Sequence, residues 1–152
     1  MMKQKVLIFT VLVILALTAA SHVKAQTGDN LQTRDTLKIP GNEKLVILWT
    51  SGDRDVALKM VFMYTYNAKK YKWWDDLTLL VWGPSAKLLS EDKELQDYIV
   101  KLIESGVAVE ACKGCADMYG VSGKLEELGV NVYYTGKVLT DYIKEGRNIL
   151  SL

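Results

Sequence analysis

Five short apolar runs, at residues 45–49, 77–82, 107–111, 130–134 and 148–152, recur along the chain, with segments of helical period between them. Each run is apolar at every position or nearly so, where a strand with one wet face would alternate. Strands of that kind are covered on both faces, which is the usual condition of a parallel sheet whose crossover helices pack above and below it. The alternation of strand and helix signals predicts one small α/β domain over residues 44–152, with three layers and a mostly parallel five-stranded sheet.

Two helical segments differ in kind. The one after Ser90 places Leu95, Tyr98, Ile99, Leu102 and Ile103 on one face, has acids in its first turn and stops at Gly106. It reads as an amphipathic helix covering a sheet, with Ser90 as its N-cap. The one after Asp53 carries Val56, Ala57, Leu58, Met60, Val61, Phe62, Met63 and Tyr64 and has almost no polar face. A helix apolar all round needs a second cover. We assign that cover to another subunit, with Val61, Phe62 and Tyr64 at or near the contact. The alternative cover is the polar segment 26–43.

The N-terminus has the grammar of an export signal. Lys3 and Lys5 precede an apolar run over residues 6–20, and Val23 and Ala25 supply small side chains before Gln26. This pattern predicts a signal peptide over residues 1–25, cleaved after Ala25 or alternatively Ala20. A retained anchor would need roughly 20 apolar residues to cross a hydrocarbon core of about 30 Å. Cleavage would leave the protein periplasmic or secreted, unattached to the membrane, with a polar lead-in over residues 26–43. Of 19 basic side chains the signal holds Lys3, Lys5 and Lys24 and it holds none of the 18 acids, so the remainder is slightly acidic. A slightly acidic domain has no basic stripe for phosphates, which argues against a nucleic-acid partner. The single histidine, His22, also leaves with the signal. Catalysis by Ser-His-Asp or Cys-His is then excluded, as is any histidine metal site.

Ligands of open parallel sheets bind at the carboxyl ends of the strands. Three loops qualify: Thr50-Ser51-Gly52-Asp53, Gly83-Pro84-Ser85 and Cys112-Lys113-Gly114-Cys115. In the first, Thr50, Ser51 and Gly52 form a candidate cradle for an anion or polar ligand before a helix. It is too short for a phosphate-binding P-loop, and a plain helix-capping turn is the alternative reading. The third loop holds both cysteines of the protein. Two thiols cannot complete a four-ligand metal site, so no metal is expected, and no cofactor motif is present. A C-x-x-C at a helix start lowers a thiol pKa. The thioredoxin fold carries its motif early and a proline later, whereas here the motif follows the third strand and no proline follows Pro84. Thiol–disulfide exchange remains open as chemistry, and so does a structural disulfide, although so small a loop constrains little of the unfolded chain. Cys112, at the strand end, is the expected nucleophile, and Lys113 beside it is a candidate ligand-binding residue whose charge favours the ionised thiol. Cys115, one helical turn on, is the expected resolving thiol, and Asp117 reads as a solvated helix residue or as an orienting group.

The run Val109-Glu110-Ala111-Cys112-Lys113-Gly114-Cys115-Ala116-Asp117-Met118-Tyr119-Gly120-Val121, with the helix and strand after it, resembles the DsrE/DsrF-like sulfur-relay family. The likeness spans most of residues 44–152. It implies a Rossmann-like domain assembled as a homo-oligomer, a trimer or hexamer. It also implies a sulfurtransferase or sulfur carrier that holds a persulfide on Cys112, takes sulfur from a donor and passes it to an acceptor protein. A non-enzymatic oligomeric binding module is the reading from another class.

Overall fold

The computed structural model describes residues 43–152, so the signal peptide and nearly all of the lead-in lie outside the described residues. Five parallel strands form one sheet: β1 (Lys44–Trp49), β2 (Asp76–Val81), β3 (Ala108–Cys112), β4 (Asn131–Tyr133) and β5 (Asn148–Ser151), in the spatial order β4-β3-β2-β1-β5. All five lie on the predicted apolar runs. Helix α1 opens over Arg54–Val56, widens to a π-helix over Ala57–Phe62 and returns to α over Met63–Lys70. After it come α2 (Pro84–Glu91), α3 (Lys93–Glu104), α4 (Lys113–Tyr119), α5 (Ser122–Glu127) and α6 (Thr135–Lys144).

The first four strands step outward in one direction, and β5 then pairs on the free side of β1. That reversal sends α6 to the opposite face from the other helices. On the first face Leu45, Ile47, Trp49, Leu79, Val81, Val109 and Ala111 join Phe62, Leu89, Ile99 and Leu102 in the main core. On the second face Val46, Thr78, Leu80 and Cys112 are buried, and α6 packs over β3. The three layers of a doubly covered sheet are thus present, as the unbroken apolar runs require.

Two local expectations change. The amphipathic helix begins at Lys93, and its N-cap is Asp92, whose carboxylate accepts the Leu95 N–H at 3.1 Å. Ser90 belongs instead to the last turn of α2, a helix that Pro84 starts and the extended backbone of Asp92 ends. In α1, Val61 and Phe62 are fully buried within the protomer. Phe62 meets Trp49 edge to face at 5.1 Å and Tyr98 at 5.2 Å. The sheet and α3 cover them, so they are not available as a contact surface. The apolar side chains that α1 leaves exposed are Met60, Met63 and Tyr66. Tyr64 is half-buried and accepts the Trp74 indole N–H at 3.2 Å.

Candidate thiol site

Cys112 closes β3 and caps α4. Its backbone is extended (φ −68°, ψ 106°), and its sulfur accepts the Cys115 N–H at 3.4 Å. It is 8% exposed, Cys115 is half-buried, and both are free thiols. Burial by itself would raise the Cys112 pKa, because it penalises the charged form. The Cys115 thiol and amide, with lesser contributions from the nearby Thr135 hydroxyl and Gly114 amide, outweigh burial and bring it below the ordinary thiol value. Cys115 moves the other way: burial raises it, and so does its hydrogen bond to Cys112, against an opposing bond from the Gly83 amide. Of the two, Cys112 is therefore the more acidic thiol and Cys115 the less acidic.

Lys113 does not supply that difference. Its Nζ binds both Asp117 oxygens, at 2.9 and 3.0 Å, one helical turn on, and sits 6.0 Å from the Tyr134 ring. The i,i+4 spacing brings the two charges together on the outside of α4. Asp117 also accepts the Ser122 hydroxyl at 2.6 Å, which ties α4 to α5 and makes it an orienting group.

The first loop reaches the same edge but turns its polar atoms inward. Thr50 Oγ1 donates to the Leu152 carbonyl at 3.0 Å, and Ser51 Oγ accepts the Asp53 N–H at 3.1 Å. Asp53 caps α1 through the N–H groups of Asp55 and Val56. A Cβ on Gly52 would stand 3.2 Å from the Pro84 Cβ, so this loop packs directly against the start of α2. Behind the contact, Ser85 Oγ donates to the Trp49 carbonyl at 2.6 Å and accepts the Trp82 N–H at 3.0 Å, pinning the ends of β1 and β2 together. Thr50, Ser51 and Gly52 thus hold the loops that flank Cys115, and their hydroxyls are bonded within the chain.

Two groups beside the thiols escaped the sequence reading. Thr135, the first residue of α6, is fully buried, and its hydroxyl has no partner of ordinary hydrogen-bond geometry, yet it lies close enough to Cys112 to lower that thiol. The carboxyl-end rule, applied to the fourth strand as it was to the first three, points to it. Glu110 precedes Cys112 by two residues and so lies on the same face of β3. Its Oε1 accepts the Tyr142 hydroxyl at 3.0 Å, and Arg147 lies 4.2 Å from the Tyr142 ring while pairing with Asp76 at 2.9 Å. Burial, followed by Glu110, raises the pKa of both Tyr133 and Tyr142. This network fastens α6 to the sheet.

The described residues contain no group of three or more metal-ligating side chains, and no helix among them is long and apolar enough to cross a membrane. A cavity of about 380 Å³ lined by Tyr66, Lys69, Lys70, Lys72 and Ser105 lies by the C-terminal ends of α1 and α3, at the opposite edge of the sheet from the cysteines.

A five-stranded parallel sheet in three layers is a small Rossmann-like domain of the DsrE/YchN fold type. The ychN protein from E. coli has this fold at a TM-score of 0.53 and 19% identity, over 72% of this chain and 98% of its own. The chain belongs to the family of a conserved Bacteroides thetaiotaomicron protein of unknown function, BT1422. The two are 39% identical, with a TM-score of 0.70, over 72% of this chain and 95% of that one. No family model matches the sequence, and no curated protein matches it significantly.

Proposed function

We propose that this protein is an exported sulfur-handling protein that carries sulfane sulfur on Cys112. The observation that carries the reading is the Cys112 sulfur itself: buried at a strand end, capping a helix and accepting the Cys115 N–H. In the loading step the Cys112 thiolate attacks the outer sulfur of a persulfide donor R–S–SH. A bond forms between the two sulfurs, the R–S to S bond breaks, and its electron pair leaves with the donor as R–S⁻. An acceptor thiolate removes the sulfur by the same exchange. Alternatively, Cys115 attacks the inner sulfur, expels hydrosulfide and closes a Cys112–Cys115 disulfide, which an external thiol reduces. A persulfide held on an enzyme thiol is an ordinary covalent intermediate.

Thiol–disulfide exchange by the same pair is the second reading, and the placement of both free thiols in one helical turn favours it. Intact mass separates the two. After incubation with a polysulfide donor, a gain of one sulfur that a reductant removes supports the carrier. Loss of two hydrogen atoms by the native chain supports exchange when the Cys115→Ser chain, which cannot close the internal disulfide, also gains no sulfur. The reading includes assembly as a homo-oligomer, since Met60, Met63 and Tyr66 form an apolar face on α1, and release from a signal peptide over residues 1–25.

A further inference from the structure

We propose that Thr135 is a residue of the thiol site, its hydroxyl donating a hydrogen bond to the Cys112 sulfur from an element separate from the helix that the cysteine caps. A fully buried hydroxyl is ordinarily satisfied, by a backbone carbonyl, a side chain or water. The Thr135 hydroxyl has no such partner of ordinary geometry. Its placement follows from strand register: Cys112 pairs with Tyr133 across β3 and β4, and Thr135 follows two residues later as α6 begins. On the other side, a Cβ at Gly114 would stand 4.0 Å from the Cys112 sulfur and 3.9 Å from the Tyr134 ring, so the thiol and the β4–α6 connection both border Gly114. The Cys112 sulfur lies near enough for the hydroxyl to act on it, and a thiolate accepts far better than a thiol. The hydrogen bond therefore favours the ionised sulfur, in the same direction as the Cys115 and Gly114 donors.

The inference rests on Cys112 being the reactive thiol, and one series of measurements separates the two claims. The parent is the full chain carrying Cys115→Ser, which leaves Cys112 as its sole thiol and keeps a hydroxyl at position 115. The alkylation rate with iodoacetamide is followed from pH 5 to pH 10 for this parent and for the same chain with Thr135→Val, Thr135→Ser or Thr135→Ala, each checked for folding by its melting temperature. Expected is a parent profile displaced to low pH. Thr135→Val should react about tenfold more slowly than the parent near pH 6, equivalent to one pKa unit, and converge with it above pH 9, while Thr135→Ser restores the parent profile. Should the valine variant not fold, Thr135→Ala is read in its place. A displaced parent with an unchanged valine or alanine variant overturns the role of Thr135 alone. A serine variant that behaves like the valine variant also overturns it, since a packing role would then suffice. A parent that titrates as a free cysteine overturns both claims.

Discussion

Cys112 and Cys115 lie in one turn, yet their surroundings push them in opposite directions. Cys112 is held below the ordinary thiol value, so its thiolate persists as pH falls into the region where a free cysteine is protonated. Cys115 is raised by burial before any effect of its neighbour, so part of that shift remains when Cys112 is replaced. With Cys115→Ser, alkylation at pH 6.5 should exceed that of the Cys112→Ser protein by about tenfold or more; rates in the reverse order would exchange the two roles. The same shift is linked to stability. A group depressed in the folded state contributes fully above its unfolded pKa, and the contribution disappears as pH falls through its folded value. Relative to Cys112→Ser, the native protein should gain stability as pH rises from the acid side toward about pH 8.5, measured by urea unfolding at each pH. Tyr133 and Tyr142 give a second titration test. Both are raised by burial and by Glu110, so two of the eight tyrosines should fail to ionise with the rest in an ultraviolet titration until the protein unfolds.

Among the elements, the ends of β1 and β2 are joined by the Trp82 N–H donating to the Trp49 carbonyl at 2.9 Å, and one buried hydroxyl braces that bond. Ser85 joins the Trp49 carbonyl to the Trp82 N–H, and Ser85→Ala leaves both backbone groups without that partner. Because those two groups remain bonded to each other, the expected cost is about 0.5–1.5 kcal/mol in chemical denaturation. Helix α4 ends at Gly120, whose φ is +70° and whose amide reaches back to Ala116 and Asp117. A Cβ there meets no atom within 4 Å, so the penalty of Gly120→Ala is one of backbone conformation, about 1–2 kcal/mol. Phe62 sits at the opposite extreme, enclosed by Trp49 and Tyr98, and Phe62→Ala should cost about 3–5 kcal/mol.

At the scale of the whole molecule, the two edges of the sheet divide the chemistry. The carboxyl edge gathers the thiols, Thr135 and the loop carrying Gly83. The opposite edge carries Tyr71 and Trp73, both exposed and stacked at 5.9 Å, beside three lysines of α1 and the turn after it. Between these edges α1 presents Met60 and Met63, each about half exposed, which is costly to leave facing water on a well-formed helix. Light scattering of the protein without residues 1–25 should give a mass of at least a trimer. Met60→Glu with Met63→Glu should reduce it toward a monomer without altering the circular dichroism spectrum. A monomeric mass for the unaltered protein at micromolar concentration would remove the case for a subunit contact on this face.

The strands were legible from the chain because a buried parallel strand must be apolar on both faces, a requirement written in consecutive residues such as Leu79, Leu80 and Val81. The thiol pair was legible for a related reason: the motif and the helix start coincide in sequence, so Cys112 and Cys115 carry their own local donors. Tertiary structure alone decided the rest. Two covers were open for the apolar helix, and folding buried Val61 in the core and placed Phe62 against Trp49 and Tyr98, leaving the methionines outside. Lys113 could serve the thiol or Asp117, and the one-turn spacing on a solvated face favoured the carboxylate. Thr135 is 23 residues from Cys112 and belongs to another helix, so no local pattern joins them. They meet because β4 pairs beside β3 in a register that ends both strands at one edge.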